Sequence, residues 1–136
     1  MRINLLNDVS FRTLQAGVDA ANVRQLAITN NIANSDTPYF KRSEVHFEQL
    51  LEQEMQGTPT LTGRRTNERH IPIGPSSSIP AAVTTTDNST AMSNNDNNVD
   101  VDKEMSLLAE NQLRYNSYIQ LVNEHIKIMR TATEGR

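Results

Sequence analysis

Phe11, Leu14, Val18, Ala21, Ile28 and Ile32 recur at alternating intervals of three and four, with Gln25 in the one polar slot. That period predicts an N-terminal helix carrying a continuous packing stripe. Ala16, Ala20, Val23 and Ala27 form a second stripe of small side chains on a neighbouring face. With Leu26, this face is expected to stay open for contacts with other chains. The C-terminal segment repeats the pattern: Val101, Met105, Leu108, Gln112, Tyr115, Ile119, Val122, Ile126 and Met129 alternate by four and three. Asp100 or Asp102 is the expected N-cap. Glu104 adds negative charge to the first turn, and Lys127 and Arg130 lie near the other end, as the helix dipole favours.

Two helices of this period at opposite ends of one chain most simply pair as an antiparallel coiled-coil hairpin. The fold class is therefore mainly α, with a short helix and a flexible or weakly β middle segment. Matching the two polar slots sets Gln25 against Gln112, which puts Ile32 near Met105, Val18 near Ile119 and Phe11 near Ile126. A polar pair in an apolar seam costs some stability and selects register. Phe47, Leu50, Leu51 and Met55 predict a short amphipathic helix within Ser43 to Gln56, closed by Gly57 and Pro59. Residues 57–98 hold 19 Asn, Ser or Thr and seven Gly or Pro, with no aromatic, and cannot build a core of their own. Arg69 to Ile73 and Ile79 to Thr86 read as weak strands or loop. The chain divides into 1–47 (N-terminal helix and turn), 48–98 (short helix plus polar linker or small insertion) and 99–136 (C-terminal helix).

Composition narrows the function. Among 136 residues, 36% are hydrophobic and 38 are Asn, Ser or Thr, so the apolar groups must be concentrated in the two stripes if anything is to fold. A net charge of −3 without a basic cluster gives no footprint for a phosphate backbone, so nucleic acid is a poor partner. The absence of cysteine removes disulfides, thiolate chemistry and Cys-based zinc sites together. The opening residues lack the apolar run of a cleaved signal peptide, and no stretch is long enough to span a bilayer.

The candidate chemistry is thin. His46, His70 and His125 show no metal-ligand spacing. Asp96, Asn98 and Asp100 imitate the start of a calcium loop, but Val101 stands where glycine is needed and Leu107 where a chelating glutamate is needed; helix capping is the better reading. Ser76, Ser77 and Ser78 lack a nucleophile elbow, and Glu52 and Glu54 point to different sides of a helix. No enzyme activity, cofactor or metal is expected.

The end of the first helix reads Asn31-Ile32-Ala33-Asn34-Ser35-Asp36-Thr37-Pro38-Tyr39-Phe40-Lys41. This string resembles the signature of the flagellar basal-body rod protein family. Asn98-Val99-Asp100-Val101-Asp102-Lys103-Glu104-Met105, with Leu108, Ala109, Glu110, Asn111 and Tyr115, resembles the matching C-terminal end of the family's proximal rod subunit. The signature residues are Asn31, Ala33, Asn34, Thr37, Pro38, Tyr39 and Phe40. The family usually has Gly after Thr-Pro where this chain has Tyr39. Because tyrosine tolerates a positive φ poorly, a type I turn after Pro38 is expected. The resemblance implies a structural subunit of the basal-body rod in the cell envelope, exported by the flagellar type III apparatus and polymerising through terminal-helix packing to transmit torque. It implies that Asn31 to Lys41 form a hinge touching a neighbouring subunit. It also implies as partners the export gate, the FliE adaptor, FlgC and further rod subunits, and copies of the chain itself. A monomeric helical-hairpin secretion chaperone or adaptor is the alternative.

Overall fold

A computed structural model describes residues 8–56, 79–88 and 95–135. The element order is α1 (Val9–Ala33), β1 (Ser43–His46), α2 (Glu48–Gln56), β2 (Val83–Thr86) and α3 (Val101–Glu134). The long helices pack against each other. Their antiparallel sense follows from the contacts: Asn31 meets Glu104, Ala21 meets Asn111, Gly17 meets Tyr118 and Phe11 stacks on His125. At about 1.5 Å per residue, α3 extends for roughly 50 Å. It starts at Asp100, whose side chain accepts from the N–H groups of Asp102 (3.0 Å) and Lys103 (3.2 Å), and it ends at Gly135 with φ +68°. Both ends satisfy backbone groups that a helix terminus leaves open.

The register differs from the Gln25–Gln112 pairing by one residue. Asn111 Nδ2 donates to Gln25 Oε1 (3.3 Å) and to Ala21 O (3.0 Å), whereas Gln112 is exposed. Met105 and Ile126 also face outward, while Glu104, Asn111, Tyr118 and His125 turn toward α1. Leu108, Tyr115, Ile119, Val122 and Met129 are half-buried. The positions 104, 108, 111, 115, 118, 122, 125 and 129 also alternate by four and three. The two possible seams share 108, 115, 122 and 129 and have the same period, so the period alone does not choose between them. Specific polar and aromatic contacts do. On α1 the stripe holds: Ala21 and Ile28 are buried, and Phe11, Leu14, Val18, Gln25 and Ile32 are half-buried.

Gly17 lets the helices approach. A Cβ placed there would lie 3.1 Å from the Tyr118 ring. Gly17→Leu forces that ring and the helix behind it outward; overpacking of this kind typically costs about 1–3 kcal/mol. A urea midpoint at or above the wild-type value would show that the helices are not in close contact at Gly17.

Ser43–His46 is a strand rather than the first turn of the short helix. It pairs antiparallel with Val83–Thr86, Ser43 opposite Thr86 and His46 opposite Val83. Val45 and Phe47 are buried while Glu44 is exposed, a two-residue period hidden in a segment whose later apolar positions are helical. Of the two weak strands, Ile79 to Thr86 is extended-paired only from Val83, and Arg69 to Ile73 lies outside the described residues. Residues 79–82 line a groove of about 430 Å³ with Ala16, Ala20 and Val23. Ala20 is buried, so the small-residue face of α1 is partly covered by the chain itself, whereas Leu26 remains exposed.

Candidate functional site: the polar clasp at the closed end of the hairpin

Among the described residues, six apolar side chains are buried (Ala20, Ala21, Ile28, Val45, Phe47 and Val99) against six polar or charged ones (Asn31, Arg42, Asn97, Asn98, Glu104 and Asn111). Buried polar groups are tolerated when each finds a partner; Asn31, Arg42, Asn98 and Glu104 form one network, which Asn97, next in the chain to Asn98, extends to the turn. It gathers the end of α1, the turn after it, β1 and the start of α3.

Asn31 and Glu104 are completely buried. Asn31 Nδ2 donates to Glu104 Oε2 (3.1 Å) and Ser43 O (2.9 Å), and Ser43 N–H donates back to Asn31 Oδ1 (2.9 Å). The Arg42 guanidinium closes on Glu104 Oε1 through Nε (3.1 Å) and Nη2 (3.0 Å) and reaches Glu44 Oε2 through Nη1 (3.2 Å). Arg42 N–H donates to Asn98 Oδ1 (2.7 Å), and Asn98 Nδ2 to Asp87 O (2.9 Å). Asp87 N–H returns to Arg42 O (3.0 Å), extending the β1–β2 pairing by one residue. The geometry and charge pairing are those that make a buried ion pair tolerable.

Asn97 holds the turn. Its Nδ2 lies 2.9 Å from the carbonyl oxygens of Asn34, Ser35 and Thr37, and its Oδ1 accepts from Val99 N–H (2.7 Å). Asn34 N–H closes the helix on Asn30 O and Asn31 O, and Lys41 Nζ donates to Asp96 O (2.8 Å). Tyr39 N–H donates to Asn95 O (2.9 Å), and Phe40 N–H to Thr37 O (3.3 Å). Tyr39 has φ +63°. The turn is therefore not type I: its third residue holds the left-handed conformation a type II turn requires. The Asn95 and Asn97 bonds impose a geometry that local propensity opposes.

Thus Asn34, Thr37 and Tyr39 of the signature are brought onto the segment before α3, while Asn31 meets Glu104 within α3 and Phe40 closes the turn on Thr37. Ala33, Thr37, Pro38 and Tyr39 are solvent-exposed. The sequence reading missed Arg42, Asn97, Asn98 and the inward-facing Glu104. The available signal was a lone Arg beside the signature and an Asn-Asn pair ahead of a helix cap.

A second, more exposed charge cluster lies beside the clasp. Glu48, at the start of α2, accepts from Arg24 of α1 and from Arg114 of α3 (2.9 Å). It lines a cavity of about 270 Å³ with Phe47, Leu107 and Asn111. Burial pushes the Glu48 carboxyl upward, but the Arg24 hydrogen bond and the nearby guanidiniums outweigh it and hold the group below its ordinary value of 4.5. A depressed folded-state value stabilises the fold above the unfolded value. That contribution is lost as pH falls below about 4.5 and through the folded value. The stability difference between wild type and Glu48→Gln is therefore expected to be constant at neutral pH and to shrink below about pH 4.5. Denaturant midpoints from pH 7 to pH 3 read it directly, and a difference that grew on acidification would contradict it.

Among the described residues, no group of three or more His, Asp or Glu is placed to hold a metal ion. Among these residues, too, no helix is long and apolar enough to cross a membrane. The closed end is built to fix one chain conformation.

The family model for the flagella basal body rod protein matches residues 11–41, which run from the start of the α1 stripe through the signature turn. The flagellar basal body rod protein FlgB of Bacillus subtilis is 36% identical, over 93% of this chain and 94% of its own. The chain belongs to the FlgB family of flagellar basal body rod proteins. FlgB of Proteus mirabilis is 33% identical over 88% of the chain and 90% of its own, and FlgB of Borreliella burgdorferi 36% over 72% and 76%. A FlgB-family chain is a structural subunit of the basal-body rod that associates with other rod components, and the family is not one of enzymes. A monomeric secretion chaperone or adaptor is accordingly set aside.

Proposed function

We propose that this rod subunit leaves the cytoplasm through the flagellar type III export apparatus and polymerises by packing of its terminal helices, so that the finished rod carries torque. Its neighbours in this reading are FlgC and further rod subunits on one side, the FliE adaptor and the export gate on the other, and its own copies. The observation that carries the reading is the outward surface of α3. Leu113, Leu121 and Ile128, spaced by eight and seven, share one face and are exposed, and Met105 and Ile126 are exposed on the flank beside the seam. A surface helix is normally apolar on one stripe only; one that is apolar on several sides is built to be surrounded. Open helical assemblies grow through heterologous contacts that do not close, so distinct faces must meet distinct neighbours. Helices depend on such packing for much of their stability, which couples ordering of the subunit to its assembly. In the same reading the signature turn redirects the chain out of the hairpin, and residues 48–98 form an excursion from a stalk made by 1–47 and 99–136.

Aspartate substitutions at Leu113, Leu121 and Ile128 test this, because these side chains make no part of the hairpin seam. In cells lacking the native gene, the triple variant is expected to be made and exported while its incorporation into isolated basal bodies falls at least ten-fold. Its hairpin helicity, by circular dichroism at matched concentration, should equal that of wild type. Normal rods built from the triple variant would overturn packing through this face.

A further inference from the structure

α2 is the least anchored helix of the fold. None of its nine residues is buried, and among the described residues it packs extensively on no other element. A helix this short is marginal on its own, because nucleation costs more than two turns return. Its sequence adds little: the last turn holds no basic residue, and Glu54 sets a negative charge where the helix dipole opposes it. What ties α2 down lies at its first turn. Phe47, just ahead of it, is buried, and Glu48 accepts from Arg24 of α1 and Arg114 of α3. Beneath that turn the packing is incomplete. The cavity of about 270 Å³ lies there, walled by residues of α1, β1, α2 and α3. Asn111 lines it, and its buried Oδ1 accepts no hydrogen bond among the described residues. A tightly fitted joint leaves neither a void of that size nor an unpaired buried acceptor. Segments with few buried contacts open by themselves, at free energies well below that of global unfolding.

We infer that α2 is a latched arm: the Glu48 carboxylate, clamped between Arg24 and Arg114, holds it on the hairpin, and it undocks as a unit beyond Phe47 while the clasp stays closed. The latch is partly open to water, with 38% of the Glu48 side chain and 43% of the Arg114 side chain exposed, so dissolved salt weakens it. The Arg42–Glu104 pair of the clasp is buried and is screened far less. Ionic strength therefore acts on one joint and not on the other, and the arm swings free in salt without loosening the helix pair.

Hydrogen–deuterium exchange of the purified full chain, read amide by amide by NMR, tests this. After correction for intrinsic rates, the amides of Leu51 to Gln56 are expected to exchange roughly ten-fold or more faster than those of Ala21, Ile28 and Arg42. The last three lie on buried residues, and Arg42 N–H is bonded to Asn98 in the clasp. Raising sodium chloride from about 0.02 M to about 0.5 M should speed the α2 amides about three-fold and leave the other three unchanged. In the double variant Arg24→Gln with Arg114→Gln, the α2 amides should already be about five-fold faster at low salt and should no longer respond to it. Arg114→Gln alone, on the more exposed side of the latch, should give about a two-fold gain. These substitutions lie outside α2, so the gain reports its docking and not its own tendency to form a helix. Arg130→Gln breaks an exposed pair with Glu134 far along α3 and should leave α2 as in wild type. Equal protection of α2 and the three reference amides would overturn the inference. So would α2 rates that neither the double variant nor Arg114→Gln changes, or a salt response shared by Ala21, Ile28 and Arg42.

Discussion

Replacing Glu104 with alanine is expected to cost up to about 3–5 kcal/mol, because it leaves the buried Arg42 guanidinium with only the solvent-exposed Glu44 as counter-charge. It also deprives Asn31 Nδ2 of an acceptor. Against a total stability of about 5–15 kcal/mol for a small domain, that loss unfolds a large fraction of molecules. Glu104→Gln keeps the shape but turns an amide against a cation, so it should lie between alanine and wild type. The informative variant is the pair. With Arg42→Met and Glu104→Leu together, no charge remains buried, and the double substitution should be less destabilising than the two single costs added. Urea unfolding followed at 222 nm gives all four values. A cost below about 1 kcal/mol for Glu104→Ala would mean that the ion pair is solvated and that the clasp is held elsewhere.

Asn97 is the second large effect, and it tests the turn rather than the helix junction. Alanine there removes a donor shared by three carbonyls and an acceptor for Val99 N–H. With each buried unsatisfied group costing about 1–3 kcal/mol, a loss of roughly 2–4 kcal/mol is expected. Aspartate is nearly the same size but offers no donor, and at neutral pH it sets a negative charge against three carbonyl oxygens. Asn97→Asp should therefore be worse than Asn97→Ala despite its closer shape, an order that steric reasoning alone would reverse. The backbone amide of Tyr39 should exchange with deuterium faster in both variants, since its bond to Asn95 depends on the same segment. Equal stability of the aspartate and alanine forms would show that Asn97 fills space without donating.

Part of this was legible in the residues. The α1 stripe, the Asp100 cap, the antiparallel pairing and the Asn31–Lys41 signature all follow from local spacing and local chemistry, each of which a sequence displays directly. The helix Ser43 to Gln56 was only half legible. Its second half has helical spacing, but its first half is extended because Thr84, Thr85 and Thr86, far along the chain, supply the strand partner. The rotation of α3 was not legible at all. A seam through Met105, Gln112, Ile119 and Ile126 and one through Glu104, Asn111, Tyr118 and His125 have the same period, and the first is the more apolar. Hydrophobic patterning favours it.

The sequence by itself determined that two long helices exist, that they run antiparallel, that the second begins at its aspartate cap, and that the chain carries the rod family's signature. Spacing, caps and motifs are properties of neighbours in the chain. Only the tertiary structure decided which polar residues go inside and which apolar ones stay outside. Burying Glu104 depends on Arg42 and Asn31 arriving at the same point from other elements, and holding Tyr39 at positive φ depends on Asn95 and Asn97 from a segment far along the chain. Polar burial is favourable only when partners meet in space, and no one-dimensional period encodes that meeting.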